Sequence, residues 1–202
     1  MKFKYFLILL LIVIIGFVVG RYSEVILQMQ QDSIARLEEA ALKLQETNTP
    51  VRFRIERRSD DSVYVLLKLM KADKTEISKT HTQLKGNELF IDFISVPVGN
   101  RVLAFPYRMF TDHMAPDSGV DLFPLYLVDD LPLIYMQDSV DFPTRDILRD
   151  LVRHIRDRGA NATENSFGTA IHDIKQFKSF QTGITYEIIT HTRGGIEIIE
   201  TK

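Results

Sequence analysis

The sequence predicts an α+β fold: a mainly antiparallel β domain, sheet or small barrel, with one packed amphipathic helix, preceded by a single N-terminal transmembrane helix and a helical stalk. Three observations predict it. Six or more short runs carry strand periodicity, one long soluble helix carries an apolar stripe, and strands and helices do not alternate as they would around a parallel sheet. The chain divides accordingly into a signal anchor (1–21), a stalk (22–49) and a β-rich domain (50–202). The last segment has about 150 residues, the commonest size for one domain with one core.

Residues 5–20 read YFLILLLIVIIGFVVG, sixteen positions without a charge. A helix of ~20 residues crosses ~30 Å of hydrocarbon. The uncharged run is slightly short, and Lys4 and Arg21 extend it by turning their charged heads outward. Lys2, Lys4 and the amino group precede the run, whereas Glu24 and Asp32 follow it. The positive-inside tendency therefore puts the N-terminus in the cytoplasm and the β-rich domain on the other side, periplasmic in a bacterium. A cleaved signal peptide is the rival reading, with Val18 and Gly20 small enough for a peptidase site; the run exceeds the usual apolar length of such a peptide, and no A-x-A follows.

Residues 24–46 contain neither Gly nor Pro and are rich in good helix formers. Leu27, Ile34 and Ala41 recur every seven residues, with Gln30, Leu37 and Leu44 between them, a heptad seam with one polar position. Two readings of this seam stand side by side: self-association into a short coiled coil, or packing of an amphipathic helix on its own domain. The helix ends before Pro50, because the residue preceding proline avoids helical geometry.

In the domain, 51–57 alternates Val51, Phe53 and Ile55 with Arg52, Arg54 and Glu56, a half-buried strand. The run 63–70 is apolar on both faces around Tyr64 and Leu66, as a central strand would be. Residues 75–84 are mostly polar and suit an edge. Two strands, 89–96 and 102–110, flank the turn VPVGN, with Pro97 and Pro106 limiting their pairing. The runs 122–128 and 131–136 contain Pro124 and Pro132 and suit edge or irregular positions. A helix starts near Pro143 with Asp141 as cap, buries Ile147, Leu148, Leu151, Val152 and Ile155, and stops at Gly159. The stretch NATENS at 161–166 reads as a loop, and 169–180 fits a short helix or a strand. Residues 184–192 and 196–200 form a hairpin across Gly194 and Gly195, with a longer loop or bulge where a two-residue turn leaves the register unclean.

Composition removes several function classes. Net charge is +2 before the anchor, −2 over 21–48 and −2 over 49–202, so the broad basic footprint of a nucleic-acid binder is missing. Cysteine is absent, which excludes disulfides, thiolate nucleophiles, cysteine-bound metal and cysteine lipid anchors. His81, His113, His154, His172 and His191 are scattered with no H-x-x-x-H pair, and neither G-x-S-x-G nor a phosphate-cradling glycine loop occurs. His172 beside Asp173 is the least unpromising base. No motif requires a cofactor.

The strongest chemical cluster is acidic: Asp112, Asp117, Asp121, Asp129 and Asp130, with His113 adjacent. Asp112, Asp117 and Asp121 are the candidate metal ligands, since hard cations take several carboxylate and carbonyl oxygens from a flexible loop; the spacing matches no calcium loop, and the same residues are common in turns for backbone reasons. On helix 143–158, Arg145, Arg149, Arg153 and Arg156 form a stripe beside Asp146, Asp150 and Asp157, read as a solvated, salt-bridged face. Asp92 within LFIDFISV is read as a solvent-face residue. Asn161 and Thr163 form a glycosylation sequon. The function expected is a non-catalytic interaction, scaffold or accessory module held at a membrane, with an unidentified protein partner and a stalk able to form a homo-oligomer. The alternative is a membrane-anchored metal-dependent hydrolase using the 112–130 acids.

Overall fold

The structure is a computed structural model. It describes the backbone of residues 2–158, 171–177 and 180–201, and their side chains apart from those of 2–20, 158 and 171–177. Helix α1 (Lys2–Leu42) runs for 41 residues without a break. It leads into β1 (Thr47–Arg58), β2 (Ser62–Met70) and β3 (Glu76–Lys85), then β4 (Leu89–Val98) and β5 (Arg101–Thr111). After an irregular stretch come α2 (Phe142–Arg158) and, further on, the last three strands. The fold is mainly antiparallel β with two helices, as an α+β domain should be.

A five-stranded sheet places β1 and β2 at its centre and β3 at an edge. Its other side is completed by β10 (Thr185–His191) and β11 (Ile196–Thr201), in the order β11-β10-β1-β2-β3. A second sheet of four strands has the order β6-β5-β4-β9, with β6 (Val120–Asp121) and β9 (Ile171–Phe177) at its edges. Within 169–180, which fits a short helix or a strand, residues 171–177 form strand β9, paired antiparallel to β4. Inward residues of both sheets, including Phe53, Leu67, Ile91 and Phe105, join Leu148, Leu151 and Val152 of α2 in one hydrophobic cluster.

Proline sets where the strands deviate. Pro50 lies inside β1, where it cannot donate to the ladder, and the pairing with β10 shifts register between Asn48 and Val51. In the β4–β5 hairpin, Val98 pairs with Arg101 around the two-residue turn, so Pro97 and Pro106 fall at alternate positions whose N–H would face away from the partner strand. The hairpin β10–β11 pairs Thr190 with Ile196 and Ile188 with Ile198. Its loop is therefore the longer of the two alternatives and puts isoleucine opposite isoleucine.

One expectation changes. Asp92 is 4% exposed, not a solvent-face residue, because β4 is paired on both sides and covered on both faces. The heptad seam divides: Leu37, Ala41 and Leu44 are buried in the domain's core, whereas Leu27 and Ile34 are exposed. The lower end of α1 therefore packs on its own domain. Arg101 completes that junction by donating to the carbonyls of Ala41 (3.3 Å) and Leu44 (3.4 Å) and to the Thr192 hydroxyl (3.2 Å), a cation at the end of a helix that has no glycine cap.

The backbone of residues 5–20 is helical, but their side chains lie outside the described residues, as do Gly159, the NATENS loop and the Asn161 sequon. Among the described residues no helix is long and apolar enough to cross a membrane.

Candidate functional site

The acidic segment after β5 becomes a succession of short turns because Pro116, Pro124 and Pro132 deny it a continuous ladder. Three-residue 3₁₀ turns at Pro116–Ser118, Phe123–Leu125 and Leu133–Tyr135 alternate with two-residue bridges. Each carboxylate takes a local task. Asp112 Oδ1 accepts the backbone N–H of Asn87 (2.8 Å) and of Glu88 (3.0 Å), fastening the β3–β4 connection. Partial burial opposes its ionisation, but the N–H donors of Glu88 and Asn87, together with nearby His113 and its own backbone N–H, hold the carboxyl below its usual range. Asp117 is 98% exposed and pairs with Arg108 at 2.7 Å. Asp121 accepts the N–H of Phe123 at 3.0 Å.

The structure thus does not gather Asp112, Asp117 and Asp121 at one point. Among the described residues, no group of three or more His, Asp or Glu side chains is placed to hold a metal ion. Exposed His81 lies 3.0 Å from Glu56, and His113 lies 3.8 Å from Asp112. His172 and Asp173 are successive residues of β9, with side chains outside the described set.

The other end of the segment is more organised. Strands β7 (Leu127–Val128) and β8 (Leu131–Pro132) form a minimal hairpin across Asp129 and Asp130. Both turn residues have left-handed backbone, φ +49° and +62°, the geometry of a primed two-residue turn usually filled by Asn-Gly. Helix α2 grips this turn. Arg149 Nε donates to the Asp129 carbonyl at 3.0 Å, Arg153 Nε to Asp130 Oδ2 at 3.4 Å, and Arg156 to Asp130 Oδ1. The arginine stripe does pair along its own helix, Arg149 with Asp146 and Arg153 with Asp150, yet its outer ends reach 20 or more residues back to the hairpin. Spacing along a helix reveals the first kind of pair; the second depends on where a distant turn lands.

Between the hairpin, the last turn of α2 and the second sheet lies a cleft of about 690 Å³, walled by Tyr107, Phe123, Leu127 and Ile155, with Asp121, Asp129, Asp130 and Arg156 at its polar side. Asp130 is engaged by two guanidinium groups and Asp121 by a backbone N–H, so both carboxylates brace the walls.

This chain matches no protein-family model, no curated protein and no solved structure. Functional assignment rests on its own geometry. Two buried tyrosines complete that geometry: Tyr126 donates to the Pro106 carbonyl at 2.9 Å and Tyr135 to the Ala104 carbonyl at 2.8 Å. Both carbonyls point away from β4 in the alternation set by Val98 and Arg101, where β6 does not reach them. The phenols thus stand in for a missing strand, and burial pushes both tyrosine pKa values up. Nothing in the sequence pattern singled out these tyrosines, because each is an ordinary aromatic in an apolar run.

Proposed function

We propose that this chain is a membrane-anchored, non-catalytic interaction module whose β-rich head is displayed outside the cytoplasm. One observation carries the reading: α1 is a single helix whose lower end is seated in the head's core through Leu37, Ala40, Ala41 and Leu44. A head joined in this way has a fixed orientation on its helix, which suits presentation of a surface to a partner. The emerging section keeps Tyr22, Val25, Ile26, Leu27 and Met29 exposed, apolar surface that fits a membrane boundary or a second copy of the helix. The homo-oligomer reading keeps Leu27 and Ile34 as its contact residues. Confinement to a membrane raises the effective concentration of copies and favours such a contact.

Protease added to intact spheroplasts should digest the head, and protection until lysis would reverse the topology. A mature N-terminus at Arg21 would show a cleaved signal instead. Leu27→Lys with Ile34→Lys should abolish cross-linking between full-length copies; unchanged cross-linking would remove the helix as the oligomer contact. The metal-dependent hydrolase is the second reading, but its carboxylates are dispersed on backbone and arginine partners. A rise in melting temperature with calcium, magnesium, manganese or zinc would revive it.

A further inference from the structure

The solvent face of the five-stranded sheet breaks a rule of strand pairing. Arg52 lies directly opposite Lys68, and Lys68 directly opposite Lys79, so three cations form one row across β1, β2 and β3. Like charges in directly opposed positions repel, and a sheet shaped by stability alone alternates their sign. The neighbouring row places Arg54 between Thr185 and Leu66. These six side chains line a shallow cleft of about 320 Å³ whose lining contains no carboxylate.

Carboxylates surround the cleft without entering it. Glu187 lies 2.6 Å from Arg52, Glu76 2.6 Å from Lys68, and Glu56 3.4 Å from Arg54 while also holding His81. Three of the cationic stems are thereby fixed in place. Lys79 is exposed and, among the described residues, has no carboxylate within 4 Å. Arg54 Nε is buried with no hydrogen-bond acceptor among the described residues. Leu66, although on the solvent side of the sheet, is only 8% exposed, covered by its long charged neighbours.

We propose that this cleft binds a phosphoryl group. The Lys79 ammonium and the unsatisfied Arg54 Nε, beside the ion-paired Arg52 and Lys68 and an apolar floor, with the Thr185 hydroxyl at the margin, match a compact oxyanion. The volume admits the group together with part of its substituent. A nucleic-acid strand is a poorer fit, because the cations form one patch and not a track, and the segment that carries them is net negative. The site stands whether or not the chain is anchored in a membrane. Inorganic phosphate and the headgroup of an anionic lipid share the required chemistry.

Calorimetric titration of the full-length chain in neutral detergent micelles tests it, with inorganic phosphate in one arm and dihexanoyl phosphatidylglycerol in the other, at constant ionic strength. Saturable binding is expected in at least one arm, weakened 10-fold or more by Arg54→Gln with Lys79→Gln and unchanged by Arg193→Gln, which removes an exposed charge elsewhere. Binding in the lipid arm alone identifies a headgroup as the source, and binding of phosphate alone a soluble anion. Lys79→Gln by itself serves if the double variant does not fold, because that side chain is exposed. No saturable binding in either arm, or equal weakening by Arg193→Gln, overturns the proposal.

Discussion

Lys43 Nζ lies 3.0 Å from Asp141 Oδ2, joining the turn after α1 to the residue that caps α2. The other carboxylate oxygen of Asp141 accepts the N–H of Thr144 at 3.0 Å, the N-cap bond expected of Asp before Phe142 and Pro143. One side chain thus starts the second helix and ties it to the end of the first. Together with the Arg101 cap, it makes the α1–α2 junction part of the domain.

Acid should weaken this junction in a defined window. The hydrogen bonds from Thr144, then the contact with Lys43, lower the Asp141 pKa from 3.8 to about 2. A depressed carboxyl contributes stability that is present above its unfolded value and is lost as pH falls through the folded one. Melting temperature measured from pH 6 to 2 should fall more steeply below about pH 4 in the native chain than in Asp141→Asn, which keeps a capping oxygen but cannot titrate. Parallel curves would show that the Asp141 charge does not contribute.

Leu37 and Leu27 belong to the same heptad seam but to different environments, 1% and 57% exposed. Leu37→Ala should cost about 2–5 kcal/mol through lost burial and the cavity left behind. Leu27→Ala should stay within about 0.5 kcal/mol. Chemical denaturation of the full-length chain in micelles, followed by a signal from the β-rich head, distinguishes them. Equal effects would mean that the head does not depend on the lower end of α1.

Tyr126→Phe and Tyr135→Phe each remove the donor to a buried carbonyl of β5 while keeping the ring. Each change should destabilise by about 1–3 kcal/mol, the cost of an unsatisfied buried acceptor. Because burial raises both phenols, neither should contribute to ultraviolet titration of tyrosine until the domain unfolds in alkali.

The Asp129–Asp130 turn offers a gain of stability. Asp129 takes φ +49° and supplies its backbone carbonyl to Arg149, a contact that any residue would retain. Asp129→Gly should stabilise or be neutral, by up to about 1 kcal/mol, whereas Asp129→Ile should destabilise by about 1–2 kcal/mol. Thermal melts of the two variants should bracket the native chain; the reverse order would mean that the left-handed turn is not kept in solution.

The strands 51–57, 63–70, 89–96 and 102–110 were legible because a half-buried strand writes its burial as a period of two, and the capped α2 was legible because its signals are local. Edge placement of β3 followed from its polarity, and the β10–β11 hairpin from its paired glycines. The acidic segment was legible as a cluster along the chain, yet not as a site, since proximity in sequence does not bring three carboxylates to one point.

What the sequence determined by itself was therefore the local part: which segments other than 169–180 are strands or helices, and which face of each is apolar. Only the tertiary structure decided which end of the heptad seam is buried, that Asp92 is covered, that Arg153 and Arg156 meet Asp130, and that Lys79, Lys68 and Arg52 stand in one row. Each of these depends on the register or docking of elements separated by ten to a hundred residues. Apolar periodicity specifies that a face must be covered, but shape and registry among distant elements decide what covers it.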